Sequence, residues 1–112
     1  MITVAETPYY ARRAAAIMSE EERASVIETI ARSPEDGDLV TGTGGIRKLR
    51  VPLEGRGKSG GARVIYYFQN DDWPVLLLEV FAKNEKANLS KAQRNELAKL
   101  VAELKTARKS RR

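Results

Sequence analysis

The chain contains neither cysteine nor histidine. Without cysteine, a disulfide framework and thiolate chemistry are both excluded, which fits a reducing cytoplasm. Without histidine, the usual acid–base group at neutral pH and the commonest metal ligand are missing, so any catalysis must use Lys, Arg, Tyr, Ser or carboxylates. Long apolar runs are absent as well. None approaches the ~20 residues that cross a bilayer, and Met1-Ile2-Thr3-Val4 does not begin a positive-then-apolar export signal, so the expectation is a cytoplasmic protein with no membrane partner. At 112 residues and 42% hydrophobic content, the simplest organisation is one domain over residues 1–112 with a single core.

The net charge of +5 is unevenly distributed. Residues 1–45 carry 4 basic and 8 acidic side chains, residues 46–63 carry 6 and 1, residues 64–104 carry 5 and 6, and residues 105–112 carry 5 and 0. Positive charge is therefore concentrated in a central segment and in the tail Lys105 to Arg112. Such blocks favour phosphate-rich partners through counterion release. The ordinary reading of a basic run is a solvated face, and it weighs as much as the functional one for the tail.

The central segment is different because its cations alternate with core-type residues. Ile46 to Val51 and Ala62 to Phe68 both have strand character, and between them lies a loop with Gly55, Gly57, Gly60 and Gly61 plus Arg56, Lys58 and Ser59, which predicts a β-hairpin with a long tip. Lys48 and Arg50 share one side of the pleat, with Leu49 and Val51 on the other. In the second strand, Arg63 and Tyr67 share one side, and Val64, Tyr66 and Phe68 the other. The register that would bring the Arg63 side to Lys48 is not encoded locally. If it does so, the result is a cationic face containing an aromatic ring, suited to a polyanion with stackable bases. Tyr66 and Tyr67 point to opposite faces, so at most one is expected in the core.

Around the hairpin, Ile2 to Val4 is a short strand candidate, and Thr7-Pro8 caps and opens a helix over Tyr9 to Met18. Ser19-x-x-Glu22 is a capping box for a second helix striped by Val26, Ile27, Ile30 and Ala31 and ending at Ser33-Pro34. A brief extended piece is expected at Leu39-Val40. Val75 to Ala82 is nearly all apolar and is expected to be the most buried strand. Ser90-x-x-Gln93 opens a last helix with Leu97, Leu100, Val101 and Leu104 on one face. The fold class expected is α+β, a small antiparallel sheet packed against two N-terminal helices and a C-terminal helix.

Four features have ordinary explanations. Gly55 to Gly60 spells G-x-G-x-x-G, but a dinucleotide site needs it to open a helix, and here it enters a strand. Gly57-Lys58-Ser59 resembles the end of a phosphate-binding loop, yet the required earlier glycine is Pro52. Asp71-Asp72 sits where a turn favours aspartate, which makes a metal site unnecessary. Trp73 beside Pro74 reads as a cover over the core edge.

Taken together, Gly42 to Arg50, Gly55 to Phe68, and Lys83-Asn84-Glu85 ahead of Leu89-Ser90 resemble, in order and spacing, the RelE/HigB family of toxins from toxin–antitoxin modules, and most of all its HigB-like branch. The resemblance covers about residues 20–104. It implies a RelE-like fold and a ribosome-dependent endoribonuclease that cuts messenger RNA in the A site without a cofactor. It also implies a cognate antitoxin as partner and contact with DNA only through the antitoxin complex. By motif, the basic pair before the glycine loop falls on Lys48 and Arg50, the arginine opening the next strand on Arg63, and the basic position after the last strand on Lys83, or on Asn84 if the alignment slips by one. Arg47, Arg56, Lys58 and Tyr67 are the candidate RNA contacts. The pattern departs from that of relatives with a tyrosine near the start of the last helix or a histidine near the C-terminus, because Leu89 stands in the first region and histidine is absent.

The expected chemistry is attack of the ribose 2′-OH on the adjacent phosphate, which leaves a cyclic phosphate and a free 5′-OH. Arg63 is the expected charge stabiliser, since guanidinium donates a fixed fork to phosphate oxygens. Crowding by Arg47, Arg50 and Arg63 would favour the neutral form of Lys48 and make it the base, and Lys83 would assist the leaving oxygen. The competing classes are a non-catalytic RNA- or ribosome-binding module, including an inactive toxin homologue, and a DNA-binding regulator, for which no helix-turn-helix is recognisable.

Overall fold

A computed structural model describes residues 1–54 and 60–110. The chain runs β1 (Val4–Glu6), α1 (Pro8–Ile17), α2 (Glu20–Arg32), β2 (Asp38–Leu39), β3 (Ile46–Val51), β4 (Ala62–Tyr67), β5 (Val75–Ala82) and α3 (Lys91–Ser110). The local signals for the helix starts act as expected. The Thr7 hydroxyl accepts from the Tyr10 N–H at 3.3 Å, Ser19 and Glu22 form a reciprocal capping box, and Ser90 and Gln93 exchange bonds of 2.9 and 3.1 Å. No helix among the described residues is long and apolar enough to cross a membrane.

The strands form one sheet in the order β1-β5-β4-β3-β2. The fold is α+β as expected, but the sheet is mixed. β2 to β5 pair antiparallel, while β1 pairs parallel with β5. Two helices separate β1 from the hairpin, and such a connection lets the first strand return alongside the last one.

β4 lies in the middle of the sheet, and all six of its residues are buried. It is therefore more buried than β5, because position in the sheet outweighs the apolar run. One face, with Val51, Val64, Tyr66, Leu77 and Val80, packs against α1 and α2 through Tyr10, Ala14, Val26 and Ile30. The opposite face, with Ile46, Ile65, Tyr67 and Phe81, packs against α3 through Val101 and its flanking leucines. β5 serves both faces by means of a register shift. Ile65 pairs with Glu79 and Tyr66 with Leu77, leaving Leu78 as the extra residue of a bulge that re-phases the strand.

Because both faces are covered, both tyrosines of β4 are core residues. The Tyr66 hydroxyl accepts from the Gly37 N–H at 2.9 Å and donates to the Pro34 carbonyl at 2.8 Å, fastening the α2–β2 turn to the sheet. Tyr66→Phe removes both bonds, depriving the buried Gly37 N–H and the half-buried Pro34 carbonyl of this partner. It is expected to lower the unfolding free energy by ~1–3 kcal/mol, measured by urea denaturation, and an unchanged midpoint would show that the fastening carries no stability.

The tail also departs from expectation. α3 continues to Ser110, and Arg108 is buried between Tyr67 and Trp73, at 5.4 and 5.0 Å from their ring centres. Its guanidinium donates to Gln69 Oε1 at 3.0 Å. Lys105 donates to the Gly44 carbonyl at 2.9 Å. Two of the tail's cations thus dock the helix instead of standing free.

Candidate functional site: a cationic sheet face

The β3–β4 register places Arg50 directly opposite Arg63 and Lys48 opposite Ile65, so Lys48, Arg50 and Arg63 share the face that also carries α3. α3 covers the Ile46, Ile65 and Tyr67 end of that face. The other end holds the cations. Like charges directly opposite on a sheet repel, and among the described residues no carboxylate lies within ion-pair distance of either arginine.

Arg63 is the most constrained of the three. It is only 6% exposed, and its Nη1 donates to the Gly60 and Ala62 carbonyls at 3.0 and 3.1 Å. Burial first, and the Arg50 charge second, pull its guanidinium below the ordinary arginine range. Arg50 is exposed. Lys48 Nζ donates to Asn88 Oδ1 at 3.2 Å, and the same oxygen accepts from the Leu89 N–H at 2.9 Å.

Lys83 joins the same corner. Its N–H donates to the Gly61 carbonyl at 3.0 Å, one step beyond the end of β5. Its aliphatic stem lies over Gly60, where an added Cβ would meet Lys83 Cδ at 3.2 Å. Gly60 thus touches Lys83 through its Cα side and Arg63 through its carbonyl. Asn84 follows in the exposed turn after β5.

Two expected RNA contacts are corrected by the fold. Arg47 lies on the opposite side of the sheet, because neighbouring strand residues alternate. It donates to the Glu35 and Gly37 carbonyls at 3.0 and 2.8 Å, tying down the approach to β2. It cannot crowd Lys48. Tyr67 is on the cationic face but only 1% exposed, sealed by α3 and Arg108, so it offers no ring to a base. Burial raises its phenol pKa, against a smaller lowering by Arg108. Arg56 and Lys58 lie outside the described residues.

Two residues not singled out by sequence reasoning border the cations. Lys86 places its ammonium 4.7 Å from the centre of the Phe81 ring, and Phe81 pairs with Arg63. Asn88 fixes Lys48. Lys86 had a signal in the sequence, a third charged residue in the Lys83-Asn84-Glu85-Lys86 turn. Asn88 had none, because its partner is 40 residues away. Leu89, which opens the approach to α3, is buried in the α3-side core.

The arrangement can hold an anion. Lys48, Arg50 and Arg63 stand on one face of β3 and β4, and Lys83 borders it from the end of β5. Among the described residues, no cluster of acids is placed to bind a metal ion. The family model described as RelE toxin of the RelE/RelB toxin–antitoxin system matches residues 3–111, nearly the entire chain and every element of this face. The chain belongs to the RelE toxin family.

Proposed function

We propose that this toxin of a toxin–antitoxin system acts as a ribosome-dependent endoribonuclease, with Lys48, Arg50, Arg63 and Lys83 arranged around the scissile phosphate of a messenger RNA. The observation that carries the reading is the facing pair Arg50 and Arg63. Two cations held opposite one another, with Arg63 deprived of solvent, favour an anion between them.

The ribose 2′-oxygen attacks phosphorus, the O2′–P bond forms and the P–O5′ bond breaks, giving a cyclic phosphate and a 5′-hydroxyl. Arg63 and Arg50 stabilise the added charge on the phosphorane-like transition state. Lys48, steadied by Asn88, is the candidate to accept the 2′-OH proton, and Lys83 the candidate to donate one to the 5′-oxygen. Acid–base groups of this kind contribute ~10²–10⁴-fold. The remaining acceleration comes from orientation, which a small open face supplies poorly and a ribosome holding the message supplies well. As a RelE toxin the chain has an antitoxin as partner. An acidic segment of that antitoxin would occupy the same cations.

The burial of Leu89 favours a second reading, in which the face binds RNA or the ribosome without cutting, since no tyrosine hydroxyl is available there. Mapping RNA 5′ ends after induction separates the two. New ends in phase with codons on translated messages are expected, together with negligible cutting of free transcripts. Stalled but intact messages would establish the binder, and robust cutting of free RNA would remove the need for the ribosome.

A further inference from the structure

β1 pairs with Val75 to Leu77, so among the described residues no strand neighbours the outer edge of β5 beyond Leu77. Its outward N–H groups are met by side chains instead. The Val80 N–H donates to Glu79 Oε1 at 3.0 Å, and the Ala82 N–H donates to Glu85 Oε1 at 2.9 Å. Both carboxylates answer to one cation from α1. Arg13 Nη2 donates to the two Glu85 oxygens at 3.0 and 2.8 Å, and Arg13 Nε lies 3.9 Å from Glu79.

Glu85 belongs to the turn that presents Lys83 and Lys86. The Glu85 and Lys86 N–H groups both donate to the Ala82 carbonyl, so the turn closes on the residue whose N–H the Glu85 side chain takes. Arg13 and Glu85 are therefore placed to hold the turn as a unit. Arg13 also neutralises the one carboxylate within a turn that must approach a polyanion. The Glu85 carboxyl is held below its usual range by the Ala82 N–H first and by Arg13 next.

We infer that Arg13 and Glu85 are positioning residues for the RNA-facing turn, acting through Lys83 rather than touching the substrate. The inference rests on the nuclease reading given above. An exposed ion pair contributes little to global stability, so its loss should register in the reaction far more than in the melting temperature.

The test is cleavage of ribosome-bound message by the full chain. Arg13→Ala and Glu85→Gln are each expected to lower kcat by about tenfold, with KM changed less than about twofold, because a displaced catalytic group costs turnover. Arg13→Lys should restore part of the loss. Adding Arg13→Ala to Lys83→Ala should lower activity no further than Lys83→Ala does, since residues acting as one unit are not additive. Arg32→Ala, which breaks an exposed pair with Glu28 on α2, serves as the control with unchanged turnover. Hydrogen exchange at the Ala82 amide reads the clamp independently of activity, and Arg13→Ala should accelerate it. Full turnover in Arg13→Ala, additive losses with Lys83→Ala, or unchanged exchange at Ala82 would each overturn the inference while leaving the nuclease reading intact. A wild-type chain that cuts nothing on ribosomes would overturn both.

Discussion

Arg63→Met is expected to reduce message cleavage by at least ~100-fold, the scale of losing one preorganised donor to a developing negative charge, while the protein stays folded. Dissociating the two effects is the point of the substitution. Arg63 is buried, faces Arg50, and among the described residues donates to the Gly60 and Ala62 carbonyls. Removing it relieves the desolvation and repulsion that lower its pKa, and costs two carbonyls their donor, with each lost bond contributing ~1 kcal/mol. These changes oppose one another. Thermal unfolding should therefore move little, and growth arrest on induction should vanish. If the variant remains toxic, Arg63 has no part in the reaction. If it loses its fold along with its toxicity, the guanidinium is a structural group and the cationic face needs another explanation.

Gly61→Ala is expected to have the largest effect on stability. Gly61 has φ +69, and a Cβ there would run into the Val51 carbonyl oxygen across the base of the hairpin. Val51 O, Val51 C and Pro52 Cα, the atoms nearest that Cβ, are all backbone, so no side chain can swing aside. A left-handed conformation in a non-glycine residue costs ~1–3 kcal/mol, and the collision adds to it. The unfolding free energy should fall by more than ~3 kcal/mol, which for a domain of this size corresponds to a melting temperature lower by roughly 10 °C or more. Toxicity should fall too, since Lys83 bonds the Gly61 carbonyl and Arg63 lies two residues on. Gly42→Ala is the matched comparison. Gly42 has φ +79 but nothing within 4 Å of an added Cβ, so only the conformational cost applies. Equal losses in the two variants would show that the hairpin base tolerates the side chain.

What could be read from the chain alone follows the range of the forces involved. The caps at Thr7, Ser19 and Ser90 are interactions over three residues, and they appear where the spacing places them. The alternation of Lys48 and Arg50 with apolar neighbours gave a cationic side to β3. The register that brings Arg63 onto that side is a tertiary fact, and so is the bulge at Leu78. Tyr67 is sealed although its pleat position puts it on the cationic side, because strand periodicity says which side a residue faces and not what covers that side. Arg47 stands apart from its cationic sequence neighbours because its guanidinium is taken up by the Glu35 and Gly37 carbonyls across the pleat. The Arg13 and Glu85 pair spans 72 residues and joins a helix to a turn, a contact no local pattern announces.

Trp73 is the only indole in the chain, and Arg108 from the penultimate portion of α3 is stacked against it. Its fluorescence is therefore a resident optical gauge of whether the far end of that helix is seated. Any partner that lifts α3 off Tyr67 must first pull a guanidinium from between two rings, and the emission spectrum will register the event without a label.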